Sequence, residues 1–140
     1  MPKRERDALA QVPLFSSLAP RYLRRLADLT EEQRFMEGSR VVREGDIGDT
    51  FYVILEGQAN VLSASGRVVN RLRPGDFFGE ISLLDGGPRT ATVVADTPLK
   101  MLALPRKAFL HVIELEPAVG VALLSHSASM LRRLERSTNR

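Results

Sequence analysis

"FFGEISLLDGGPRTATVVA", residues 77–95, decides how this chain is read. It holds one strong base, Arg89, and two acids, Glu80 and Asp85, among residues that are otherwise apolar, small or neutral. Phe77 and Phe78 end a strand-like run. Gly79, lacking a Cβ, lets the backbone come close to another group. Residues 80–85 spell about one to two helical turns, and a helix start carries unpaired N–H groups and partial positive charge that suit an anion. Gly86-Gly87 turns the chain and Pro88 fixes the exit. Arg89 is then predicted to open the next strand and return over the helix start. A guanidinium grips a phosphate through two parallel hydrogen bonds. The Glu80 carboxylate only accepts and would repel a phosphate, so its fitting partner is a neighbouring hydroxyl, such as a ribose 2′-OH. Phosphate plus sugar hydroxyl describes a nucleotide monophosphate. A structural Glu80–Arg89 ion pair, of small net value, is the competing reading of the same two residues. Asp85, before two glycines, reads as a turn acid.

Outward from this stretch the texture changes twice. "RERDALAQ" (residues 4–11) and "SSLAPRYLRRLADLT" (residues 16–30) are helical in composition. Pro13 stops the first, and Pro20 sits at the first turn of the second. Leu23, Leu26 and Leu29 recur at three-residue spacing between arginines. From about Glu32, short β-branched and aromatic runs such as "RVV", "TFYVIL" and "QANVL" lie between turn glycines at 38, 45, 48, 57, 66 and 75. "RTATVVA" and "LKMLAL" extend them to Leu104, the pattern of an antiparallel sandwich or roll. After Pro105 "RKAFLHVIELEP" is a helix closed near Pro117, and "AVGVALLSHSASMLRRLERSTNR" a longer one. The predicted fold is α+β. An antiparallel β roll of the double-stranded β-helix or jelly-roll type, with about eight strands over residues 32–104, is flanked by N-terminal helices (about 5–30) and a C-terminal helix pair (about 105–137). A short phosphate-binding helix is inserted in the roll, and residues 1–140 form a single domain.

The residues 78–84 (FGEISLL) and 88–93 (PRTATV), with "REGDIGDTFYVILEGQANV" upstream and "RPGDFFGE", resemble the phosphate-binding cassette and early strands of cyclic nucleotide-binding domains. Such domains occur in regulatory subunits of protein kinase A, cyclic-nucleotide-gated channels and the catabolite activator protein. The likeness runs from about Leu14 to Leu134. It implies that Arg89 and the amides of Ile81, Ser82 and Thr90 take the cyclic phosphate, and that Glu80 and the Gly79 backbone take the ribose 2′-OH. It further implies that Val61 and Leu72 line the base side, with Phe78 and Ala91 completing the ligand contacts. The last helix would close as a lid through Met130 and Leu134. A hydroxyl at Thr90 can meet the 2-amino group of a syn guanine, but it also occurs in relatives that prefer adenine. The expected ligand is cAMP ahead of cGMP.

Composition bounds the remaining classes. The chain is 44% apolar and 26% charged with a net charge of +3, fitting an ordinary globule that attracts small anions. It has no cysteine, which removes disulfides and thiolate metal sites and suits a reducing cytoplasm. His111 and His126 lack zinc-site spacing, so no metal is expected. Walker and nucleophile-elbow motifs are absent, so no enzyme activity is expected. No run approaches the roughly 18 apolar residues of a membrane span. The terminal arginines lack interleaved aromatics, and nucleic acid is not expected as a partner. The resulting expectation is a non-catalytic cyclic nucleotide sensor whose C-terminal helix relays to an effector protein or fused domain. The alternative is a ligand-free module of the same fold that docks or homodimerises through that helix.

Overall fold

The computed structural model describes residues 7–12, 15–16, 18–79, 88–118, 120–121 and 124–125. Residues 7–10 form a helical turn, and α1 spans Pro20–Leu29. Eight strands follow: β1 (Glu31–Phe35), β2 (Arg40–Val42), β3 (Thr50–Glu56), β4 (Ala59–Leu62), β5 (Val68–Leu72), β6 (Phe77–Phe78), β7 (Thr92–Ala95) and β8 (Leu99–Pro105). Helix α2 spans Arg106–Leu115, and residues 117, 118, 120, 121, 124 and 125 are again helical. The strands form two four-stranded sheets, ordered β1-β8-β3-β6 and β2-β7-β4-β5. Every strand pairing among the described residues is antiparallel. This is the expected roll, with strands running from Glu31 to Pro105.

Strands β3 and β8 carry the architecture because they are buried on both faces. Successive side chains of a strand point to opposite faces. Phe51 and Val53 of β3, with Leu102 and Leu104 of β8, therefore face the helices, where they join Leu9, Phe15, Leu26, Phe109 and Val112. Tyr52 and Ile54, with Leu99, Met101 and Ala103, face the interior of the roll, where they meet Ala59, Leu72, Phe78, Val93 and Ala95 of the other strands. Double-sided burial explains why "TFYVIL" and "LKMLAL" do not alternate between apolar and polar residues, and the charged member of the second run, Lys100, is buried against Glu32 at 3.2 Å.

Pro20 begins α1, where its missing N–H costs nothing, and Leu23, Leu26 and Ala27 are buried. Leu29 departs from the expected stripe and is 42% exposed. A three-residue step falls short of a full helical turn, so by the third repeat the side chain has rotated off the core face. The N-terminal helical region is also interrupted: residues 11 and 12 turn, and Phe15 enters the core from the connection.

Three phenylalanines from distant segments weld helices to sheet. Phe51 lies 5.9 Å from Phe15 and 5.6 Å from Phe109, centroid to centroid, and Phe15 lies 6.0 Å from Phe109. All three are fully buried. Phe109→Ala should lower the unfolding free energy by about 3–5 kcal/mol, the usual cost of truncating a buried aromatic. Urea unfolding followed by circular dichroism checks this, and a loss below about 1 kcal/mol would place Phe109 outside the cooperative core.

Candidate functional site

Arg89 is the centre of the candidate site. Its residue is only 7% exposed. It precedes β7 rather than opening it: that strand starts at Thr92, and Pro88 bridges to Ile47. The backbone of Arg89 is instead locked to the β2–β3 loop. Its N–H donates to the Asp46 carbonyl at 2.7 Å, and its carbonyl accepts from the Gly45 N–H at 2.9 Å. The β2–β3 loop supplies the short antiparallel register that the sequence assigned to a strand.

The side chain reaches back to the start of β3. Nη2 donates to the Thr50 carbonyl at 2.9 Å. Two glycines make the room. A Cβ at Gly48 would overlap the Nε, Cζ and Nη2 atoms of Arg89. A Cβ at Gly79 would come within 2.7 Å of both Arg89 Nη1 and the Thr50 carbonyl. Gly79 also has φ +95°, a left-handed backbone that side chains disfavour, so it is needed twice over. Gly48 is not in that region, and its requirement is space alone.

Tyr52 stands two residues along β3 from Thr50. Its ring stacks on Phe78 with centroids 5.0 Å apart and planes 22° from parallel, in register across the β3–β6 ladder. Burial pushes its phenol above the ordinary 10.0, the Arg89 charge pulls it down, the Asp49 carboxylate pushes it up, and the nearby Thr50 side chain pulls it down. Thr50 Oγ1 in turn donates to Asp49 Oδ1 at 3.1 Å. Arg89, Thr50, Asp49 and Tyr52 are thus one polar cluster at the β3 end.

The other sequence-predicted residues fall as follows. Leu72 is buried and Val61 half-buried on the interior face, in the cluster that holds Phe78 and Tyr52. They lie on adjacent strands, Ala59 opposite Leu72 and Val61 opposite Asn70. Thr90 is exposed and Ala91 half-buried. Glu80, Ile81 and Ser82, and the lid residues Met130 and Leu134, lie outside the described residues. Sequence reasoning missed the cluster around Arg89. Gly48 was counted as a turn glycine, Thr50 acts through its backbone carbonyl, and Tyr52 was read as strand filler. The available signal was "GDIGD", whose second glycine has a role beyond turning the chain.

A deeply buried guanidinium, backed by two glycines, thus sits beside the start of β3 at one end of an apolar roll. The sequence profile of the cyclic nucleotide-binding domain family matches residues 32–116. The chain belongs to that family. It is 37% identical over 116 residues to a cAMP-dependent protein kinase regulatory subunit of Colletotrichum orbiculare, covering 82% of this chain and 29% of that protein. Among solved structures, the regulatory domain of Toxoplasma gondii PKA with cAMP superposes with a TM-score of 0.82 at 29% identity, covering 92% of this chain and 50% of the other. The Thermus thermophilus catabolite activator protein superposes at 0.81 with 31% identity, covering 91% and 62%. This chain therefore spans less than two thirds of each of these three.

The glycine geometry gives a direct test. Gly48→Ala drives a methyl into the guanidinium and should destabilise the fold by about 1–3 kcal/mol, the ordinary cost of overpacking. In an Arg89→Ala background the same change should cost much less, because the obstacle is gone. A double-mutant cycle by thermal or urea unfolding measures it, and additive costs would contradict the contact.

Proposed function

We propose that this domain is a non-catalytic cyclic nucleotide sensor that binds cAMP ahead of cGMP. The observation that carries the reading is Arg89, a charge buried at the roll's end in a recess made by Gly48 and Gly79. Family membership and the cAMP held by the Toxoplasma gondii relative support the ligand class. In this reading Arg89 and the amides of Ile81, Ser82 and Thr90 bind the cyclic phosphate. Glu80 and the Gly79 backbone bind the ribose 2′-OH, Val61 and Leu72 face the base with Phe78 and Ala91 alongside, and Met130 and Leu134 close over it. The closed helix is the output, read by a partner protein or a fused domain. Ligand shifts that helix only by binding the closed state more tightly than the open one.

A second reading, compatible with the first, has its own observation. Val121 and Leu124 are 64% and 59% exposed on the helical residues after α2. An apolar stripe there supports self-association through the C-terminal helix, and sedimentation over a concentration series tests it.

Melting with cAMP, cGMP and linear AMP tests the main reading. A site filled at about 100 times its dissociation constant gains roughly 2.7 kcal/mol. Stabilisation by a cyclic form and not by AMP is expected. Arg89→Ala should weaken cAMP binding by about 2–4 kcal/mol, since a charge-assisted contact is lost. Unchanged affinity by calorimetry would remove Arg89 from the site. Glu80→Gln should harm cAMP binding far more than binding of 2′-deoxy-cAMP, and equal losses would end the ribose assignment.

A further inference from the structure

A groove of about 620 Å³ opens where the end of α1 meets the outer side of α2, and it shares no residue with the Arg89 cluster. Leu29, Pro105, Ala108 and Leu110 give it an apolar lining, and Lys107, His111 and Glu114 line it as well. Leu29 is the residue that left the core stripe of α1. It follows Arg21 and Arg25 at four-residue spacing, so the three form one row along the helix.

Positive charge dominates this surface. Arg21, Arg24, Arg25 and Lys107 are exposed, against the acids Asp28 and Glu114. Glu114 already faces His111 at 4.0 Å. Among the described residues Arg24, Arg25 and Lys107 have no ion-pair partner. Helix α2 opens on Arg106 and Lys107 with no acid in its first turn, the reverse of the usual bias. A bilayer does not fit, because Leu23, Leu26 and Ala27, the apolar side of α1, are buried in the core. A bare polyanion would leave the apolar lining unused.

We propose that the α1–α2 groove docks an acidic amphipathic segment of a partner protein, with its apolar side chains between Leu29 and Leu110 and its carboxylates on Arg25 and Lys107. The inference goes beyond the nucleotide reading and holds whether or not Arg89 binds a phosphate. Exposed ion pairs are individually weak, so the apolar lining supplies the anchor and the charges select the partner.

Four synthetic peptides of about twelve residues, three helical turns, separate the two contributions. Their apolar positions are Leu or Ser, and their flanking positions Glu or Lys. Fluorescence anisotropy with the full chain, without nucleotide, should show the Leu/Glu peptide binding about tenfold more tightly than the other three. Arg25→Glu combined with Lys107→Glu should reverse the preference to the Leu/Lys peptide, while the unfolding midpoint and cAMP affinity stay near those of the parent. Leu29→Ser should weaken the Leu/Glu peptide several-fold. No binding by any of the four, equal binding of the Ser/Glu peptide, or a preference that survives the double charge reversal would overturn the proposal. So would loss of a self-associated species in sedimentation of the Leu29→Ser chain, which would give the groove to a second copy. Nuclear Overhauser contacts from Leu110 to residues 126–140 would also overturn it, by giving the groove to the chain's own end. None of these outcomes bears on cAMP binding, whose absence in the parent chain would sink the nucleotide reading alone.

Discussion

A positive charge held almost entirely out of water constrains one end of this roll. Moving an ion into a protein interior costs several kcal/mol unless hydrogen bonds and opposite charge replace its hydration. Arg89 meets part of that cost through oriented backbone. Its own N–H and carbonyl are tied to Asp46 and Gly45, and its guanidinium donates to the Thr50 carbonyl. Every one of those partners is backbone, so the loop between β2 and β3 must keep its conformation for the charge to stay put. Gly48 and Gly79 follow from the same constraint, since any side chain at either position would occupy the guanidinium's volume.

Strand β3 connects this constraint to the rest of the molecule. Adjacent residues on it belong to different cores. Tyr52 faces the interior with Phe78, whereas Phe51 faces the helices with Phe15 and Phe109. Thr50 opens the strand in the same alternation as Tyr52, and its carbonyl holds Arg89. Packed interiors transmit displacement rather than absorb it. Arg89, Tyr52 and the aromatic weld to α2 thus meet on one strand.

Much of the fold was legible because its signals are local. Glycine turns at short intervals and β-branched runs marked the strands, Pro20 marked the start of α1, and Pro105 the return to helix. The two-faced burial of β3 and β8 was visible only as largely apolar runs without alternation, which do not say what covers each face. Of the site, Arg89 was legible because a lone arginine in an apolar stretch is unusual. Its recess was not, because its determinants are a missing Cβ at Gly48 and a main-chain carbonyl at Thr50, separated from Arg89 by about forty positions of sequence. Neither leaves a side-chain signature. The same limit explains the misplaced start of β7. A strand-like run at residues 89–95 does not reveal that residues 43–49 pair with its beginning before the sheet does.

The loop that braces Arg89 also reaches α2 without passing through side chains. The Arg106 N–H, the first of that helix, donates to the Asp49 carbonyl at 2.6 Å. Helix α2 has no side-chain cap at Pro105, so this distant carbonyl serves one of its unpaired first-turn donors. Asp49 and Thr50 are consecutive, and their carbonyls hold α2 and Arg89 respectively. The same short segment thus satisfies a helix-start donor and a buried guanidinium with main-chain acceptors. The buried cation and the first turn of α2 are therefore held by neighbouring main-chain carbonyls, two residues of one strand entry.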